Sequence, residues 1–236
     1  MKKGAPLIVS PQNGYVRGEI RRRKLGVKVV WVRDGDPNFE GAKAVLEDLS
    51  YKLLSLKDLD GVDGQVEEDG TTHEANAFIK ARHFFKLTGY MTVGEDSGVQ
   101  VDALEGELGL HTRRWGAGTE ATDEEWLEFF LKRMESFSDE KRGARFLCSA
   151  ALILPDGTEH FFEGEALGMI VRQPEAPLLP GLPLSSVFRP AGFDRVYADL
   201  TKSEKAQISH RGLAIGRVKD FLLDYSVSLV TSSSSP

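Results

Sequence analysis

The strongest constraint on the fold is a change of rhythm along the chain. In the first half, apolar runs alternate with helical patterns; in the second, extended runs follow one another directly. "VKVVWV" (27–32) is β-branched and bounded by "RDGDPN", which reads as a buried strand ending in a turn. "FEGAKAVLEDL" places Phe39, Ala42, Val45, Leu46 and Leu49 on one helical face, and "YKLLSL" (51–56) reads as a second strand. The acidic, glycine-punctuated "DLDGVDGQVEEDGTT" reads as a loop. A helix over 72–88 follows, with Ala77, Phe78, Ala81 and Phe85 at helical spacing. "YMTVGED" and "VQVDAL" read as third and fourth strands. "TDEEWLEFFLKRM" carries a capping box, Thr122 with Glu125, then Trp126, Phe129, Phe130 and Met134 on one side. "ARFLCSAALILPDGTEHFFEGEALGMIV" reads as strands joined at Pro155-Asp156-Gly157, and "EAPLLPGLPLSS" as a Pro-rich loop. A last helix begins near Ser209-His210 and runs through Val218, Phe221 and Leu222. Alternation followed by clustered strands implies an α/β protein with a mixed sheet, in two lobes.

Charge narrows the function. The net charge of −6 and the lack of a basic stripe argue against binding along a nucleic-acid backbone. A small polyphosphate would need a cation or a local basic pocket. The single cysteine, Cys148, excludes a disulfide within the chain; in the apolar run "FLCSAALIL" it reads as a buried, inert thiol of a reducing cytoplasm. "MKKGAPLIVSPQ" has too short an apolar stretch for a signal peptide, and no run approaches the length of a membrane span. "TSSSSP" reads as a disordered tail.

Four groups could carry chemistry. Glu67-Glu68-Asp69 lies in the acidic loop, and Asn76 and Lys80 stand one helical turn apart, away from Ala77, Phe78 and Ala81. Glu95-Asp96-Ser97-Gly98 runs into "VQVDAL", and Lys205, His210 and Arg211 lie in "KSEKAQISHRGLA", beside a helix start that favours anions. Taken singly, each has a plainer reading: solvated loop, surface lysine, polar hairpin turn, capped helix start. Adjacent carboxylates repel by about 1 kcal/mol in water and roughly 4 kcal/mol near a protein surface. A divalent cation would relieve that repulsion, and Mg²⁺ commonly takes one or two carboxylates plus substrate phosphates. Carboxylates facing a cationic cluster suit Mg²⁺-assisted attack of water on a phosphoanhydride.

The order of these motifs resembles the Ham1-like nucleoside triphosphate pyrophosphohydrolases, the inosine/xanthosine triphosphatase family. That family carries "E-x-G-x-T-F-x-E-N-A-x-x-K-A", "D-D-S-G-L-x-V-D-A-L-x-G-x-P-G", "S-A-R-Y-A-G" and "I-S-H-R-G-x-A". Here the same order reads "EDGTTHEANAFIKARHFFKLTGY", "GEDSGVQVDALEGELG", "TRRWGAG" and "KSEKAQISHRGLA". The resemblance implies an elongated mixed sheet with flanking helices, two lobes around a central cleft, and a homodimer. It implies Mg²⁺-dependent cleavage of non-standard purine triphosphates, such as those of inosine and xanthosine, to monophosphate and pyrophosphate. Asp96 matches the carboxylate that binds the metal and activates water, with Glu95 in the preceding Asp position. Glu68 matches the glutamate that shares the metal, and Lys80 the lysine that grips the triphosphate. Ser97, Lys205, His210 and Arg211 match substrate-contacting positions. On this alignment residues 1–26 are an N-terminal extension, 27–224 the catalytic unit and 225–236 a tail. Asp96→Asn is expected to abolish activity and, by relieving repulsion, to leave the fold intact or slightly more stable.

Three of the chain's departures from the pattern matter for function. The phosphate loop at 33–38 lacks the usual Asn and Lys, and Ala75 replaces a glutamate. The family's "G-F-G-Y-D-P-x-F", part of the purine pocket, aligns with "GLPLSSVF", so an aromatic becomes Leu182 and an aspartate Ser185. Those changes leave two further readings open: an enzyme of altered base specificity, or a nucleotide-binding protein with little turnover.

Overall fold

The computed structural model describes residues 28–32, 41–43, 45–46, 49, 51–62, 64–118 and 120–232. The extension read over 1–26, the phosphate loop at 33–38 and residues 233–236 lie outside them. Six strands form one mixed sheet: β1 (Lys28–Val32), β2 (Lys52–Leu54), β3 (Met91–Val101), β4 (Gly143–Ile153), β5 (Glu159–Ile170) and β6 (Phe188–Pro190), in the order β2-β1-β3-β4-β5-β6. β1 runs parallel to β2 and β3, and every later pairing is antiparallel. Parallel neighbours need crossovers. Between β1 and β2, residues 41–43 and 45–46 are helical, with Ala42 and Leu46 buried. Between β2 and β3 stands α1 (His73–Thr88), capped by Thr72 at its start and ended by Gly89 in the left-handed conformation. The remaining helices are α2 (Asp123–Met134), α3 (Lys202–Ile208) and α4 (His210–Ser232). The expected α/β architecture with flanking helices is therefore present. Among the described residues no helix is long and apolar enough to cross a membrane.

Several boundaries differ from the sequence reading. The third and fourth strands are one: β3 continues through Glu95-Asp96-Ser97-Gly98, paired residue by residue with Ala150, Ser149, Cys148 and Leu147 of β4. A polar stretch rich in turn formers stays extended because an apolar partner ladders its backbone. β2 stops at Leu54, and Leu56–Asp58 coils into a 3₁₀ turn in which Asp58 accepts from both the backbone N and Oγ of Ser55. Phe129 of α2 is not buried with Trp126, Phe130 and Met134; it packs edge-on against Trp115. α4 runs through residue 224, so the tail read from 225 begins inside a helix.

Two main cores lie at opposite ends of the β3–β4 ribbon. At one end Val99, Val101 and Ala144 pack with Trp126, Phe130 and Met134 of α2 and with Phe188 and Tyr197. At the other, Met91, Val93, Cys148, Ala150 and Leu152 pack with Val29 and Trp31 of β1 and Ala214, Val218 and Leu222 of α4. These cores correspond to the two lobes, and residues 94–98 lie between them. In the first, the buried Arg142 ties the end of α2 to β5, donating to the carbonyls of Met134, Ile170 and Val171 at 2.8, 2.8 and 3.0 Å.

Candidate active site

Side chains alternate across a strand. Gly94, Asp96 and Gly98 face α1, whereas Glu95 and Ser97 face α4. The two glycines make the first approach possible. A Cβ at Gly94 would run into the carbonyl oxygen of Ala77, and one at Gly98 would stand 2.7 Å from the His73 ring. On the other side, Gly164 of β5 admits the first turn of α4, where a Cβ would collide with the carbonyl oxygen of His210. Ser209 caps that turn, its Oγ accepting from the backbone N of Gly212 at 3.0 Å.

On the α1 face, Lys80 is buried at 3% exposure. Its Nζ donates to Glu68 Oε2 at 2.8 Å, to Asp96 Oδ1 at 3.1 Å and to the Glu95 carbonyl at 3.0 Å, which engages all three ammonium protons. Burial pushes the Lys80 pKa down, but Asp96 and Glu68 outweigh it and hold the ammonium above its usual range. Burial likewise pushes Asp96 up, and the His73 hydrogen bond and the Lys80 charge outweigh it, leaving the carboxyl below its usual range. Both groups are therefore charged at neutral pH. Asn76, one turn before Lys80, accepts from the backbone N of Gly70 at 2.9 Å and pins the loop that carries Glu68.

On the α4 face, the fully buried Glu95 accepts from Arg211 Nε at 2.5 Å, Trp31 Nε1 at 3.3 Å and Cys148 Sγ at 3.4 Å. Arg211 Nη2 also donates to Ser97 Oγ at 3.0 Å. A cation in the first turn of a helix is opposed by the macrodipole, and Glu95 offsets that. His210 is buried with its ring 5.2 Å from that of Phe146.

The structure thus gathers Glu68, Lys80 and Asp96 on one face and Ser97, His210 and Arg211 on the other. The two sets meet at residues 95–97, where Lys80 reaches across to the Glu95 carbonyl. Lys205, half-buried on α3, is not brought to either set; burial lowers its pKa against the opposing pull of Asp199. The adjacent carboxylates read as repelling each other point to opposite faces, each with a cation of the protein. Sequence reasoning missed His73, whose Nδ1 lies 2.6 Å from Asp96 Oδ2. One signal could have found it: His73 precedes Lys80 by seven residues, two turns back on the same helical face.

Glu68 and Asp96 offer hard oxygen ligands on either side of Lys80 Nζ, with side chains 18% and 15% exposed. Among the described residues no three His, Cys, Asp or Glu form a metal-binding group. Two carboxylates suit a divalent cation that keeps its waters and shares its coordination with phosphates. A cavity of about 830 Å³ opens elsewhere, against α2, lined by Leu127, Leu131, Arg142 and Leu178. It shares no residue with the carboxylate cluster, so charge geometry rather than cavity size marks the site.

Residues 38–221 match the model of the Ham1 family. The chain belongs to the Ham1 family. It is 41% identical over 149 residues to a dITP/XTP pyrophosphatase of Streptomyces coelicolor, covering 63% of this chain and 73% of the relative. It is 37% identical over 180 residues to the dITP/XTP pyrophosphatase of Bacillus licheniformis, covering 76% and 90%. A solved HAM1 protein from Coxiella burnetii superposes with a TM-score of 0.74 at 30% identity, over 84% of this chain and 99% of that one. The Ham1 match includes every residue of both faces described above except Trp31.

Proposed function

We propose that this Ham1 family member hydrolyses nucleoside triphosphates between the α and β phosphates, with non-standard purine triphosphates such as those of inosine and xanthosine as substrates. The observation that carries this reading is the buried Lys80 clasped between Glu68 and Asp96. The relatives named as dITP/XTP pyrophosphatases support it. In this reading Lys80 exchanges carboxylate oxygens for phosphate oxygens when the nucleotide enters. Arg211, held by Glu95 and Ser97, presents its remaining N–H groups to the substrate alongside His210, and Lys205, which stands apart from both sets without substrate, joins them only once the phosphates are bound. Asp96 accepts the proton of the attacking water, whose oxygen bonds to the α phosphorus as the bridging oxygen leaves with pyrophosphate. Such general-base help is typically worth about 10²–10⁴-fold. Mg²⁺ held by Glu68 and Asp96 would neutralise the phosphates and acidify the attacking water. The enzyme is a cytoplasmic homodimer in this reading, the assembly being checked by light scattering of the purified protein.

The test is pyrophosphate release across a panel of purine and pyrimidine triphosphates, with and without Mg²⁺, alongside Asp96→Asn. Metal-dependent release by the natural protein alone is expected. Saturable nucleotide binding with no release from any member of the panel would overturn the reading and leave a binding protein.

A further inference from the structure

The adjacent carboxylates of β3 meet different company. Asp96 lies beside Lys80 on the α1 face, with Glu68 on the other side of that ammonium. The Glu95 side chain has no exposed surface and receives donors on both oxygens: Arg211 Nε and Cys148 Sγ at Oε1, Trp31 Nε1 at Oε2. It is walled off from water and stands across the sheet from Glu68 and Asp96. Trp31 and Cys148 are buried as well, whereas the Arg211 side chain is 16% exposed. Of these donors, Arg211 is therefore the one through which Glu95 can act on a ligand. A guanidinium has five N–H groups in a rigid plane. Nε is engaged by Glu95 and one Nη2 proton by Ser97 Oγ, two bonds along a single edge of that plane. Ser97 alone would leave the plane free to turn, and the dipole of α4 disfavours a cation at that helix start.

We propose that Glu95 is a positioning residue for nucleotide binding: touching neither substrate nor cation, it holds one edge of the Arg211 guanidinium against the sheet so that the opposite edge faces the nucleotide. The neighbouring carboxylates thus divide the work, Asp96 serving the reaction and Glu95 the grip. The proposal rests on the hydrolytic reading above.

A set of substitutions separates positioning from packing. Glu95→Gln keeps the shape and removes the charge that holds Arg211. Glu95→Asp, the residue of the family pattern, keeps the charge on a shorter arm. Arg211→Met removes the group being held. These three, and Glu95→Gln combined with Arg211→Met, are assayed for kcat and KM with inosine triphosphate and Mg²⁺, for inosine triphosphate affinity by calorimetry in EDTA, and for melting temperature. Glu95→Gln is expected to raise KM and weaken binding by about 10–100-fold, the usual worth of a hydrogen bond to a charged group. Its kcat should fall far less, by no more than about threefold, because Glu68, Lys80 and Asp96 lie on the other face. Glu95→Asp should recover most of the lost affinity. Adding Glu95→Gln to Arg211→Met should cost nothing further, because Glu95 acts only through Arg211. That comparison decides the matter even if Glu95→Gln alone fails to fold, since the double variant buries no unpaired charge. Natural KM and affinity in folded Glu95→Gln, a loss confined to kcat or melting temperature, or Glu95→Asp no better than Glu95→Gln would each overturn the proposal. So would a further loss of more than about threefold in the double variant, or natural protein that binds no inosine triphosphate. Natural protein that binds inosine triphosphate but releases no pyrophosphate would instead defeat the hydrolytic reading, and the affinities would still decide the role of Glu95.

Discussion

At Asp96, burial and charge pull in opposite directions, and charge wins. The carboxyl titrates below its ordinary 3.8 because His73 and Lys80 outweigh desolvation. Its folded pKa is thus depressed, so its ionised form stabilises the fold at pH values above 3.8, and that contribution is lost as pH falls below 3.8. Asp96→Asn should therefore destabilise the protein, by about 1–3 kcal/mol near neutral pH, since Lys80 loses a charged partner in a buried position. This reverses the sequence-based expectation, which rested on a repulsion that the opposed faces of β3 remove. Urea denaturation at pH 7 and at pH 3 measures it: the gap between natural and variant protein should shrink at the lower pH. Equal stability at pH 7 would mean that the Lys80 pairing contributes nothing. Glu68→Gln should raise the Mg²⁺ concentration needed for half-maximal turnover, since one charged ligand is lost while Asp96 remains. An unchanged Mg²⁺ titration would remove Glu68 from the site. Glu68, Lys80 and Asp96 were legible as sequence because they sit at fixed places in quotable motifs. His73 was passed over because its seven-residue spacing from Lys80 points to chemistry only once Asp96 is seen to lie against both.

Among the elements, α2 was legible because its capping box and aromatic spacing act within one turn of each other. β3 was misread as two strands because Asp, Ser and Gly are read locally as turn formers, whereas their extended form depends on β4, some fifty residues away. β6 was missed because three residues are too few to show alternation. Its ladder comes from β5. Helix seating depends on absent side chains, which sequence patterns do not display. Gly164→Ala should push the first turn of α4 off the sheet, costing about 1–3 kcal/mol, as overpacking does. It should also raise KM, because Arg211 rides on that turn. A natural denaturation midpoint with natural KM would contradict the seating of α4 on β5.

For the molecule as a whole, the two lobes followed from the rhythm of the chain, but what fills the base-recognition segment did not. Ser185, which stands where the family pattern has an aspartate, gives its hydroxyl proton to the carbonyl of Leu182 in its own 3₁₀ turn, leaving only an acceptor. Nor do Phe188 and Trp115 stand ready to replace the lost ring. Phe188 is fully buried between Phe146 and Tyr197, and Trp115 packs against Trp126, Phe129 and Phe130. A stacked base is worth about 1–3 kcal/mol where aromatics supply it. The chain should accordingly separate inosine from adenosine and guanosine triphosphates less sharply than relatives that keep the aromatic, and with a higher KM for each. Comparison of kcat/KM for these nucleotides with those of the Bacillus licheniformis relative would decide it. A strong preference for inosine triphosphate at low KM would refute it.

The alternation along β3 sets different tolerances for identity and for length. Exchanging one carboxylate for a longer one, as Glu95 does where the family pattern has aspartate, leaves each side chain on its own side of the sheet. Losing one residue at position 95, with the later pairing to β4 kept, would shift the pairing of everything before the gap and turn those side chains over. The small residue under α1 would give way to a bulky one, and Trp31 would lose its partner across the sheet. Homologous chains can therefore drift in letter across this stretch, but their alignments with it should run without a gap.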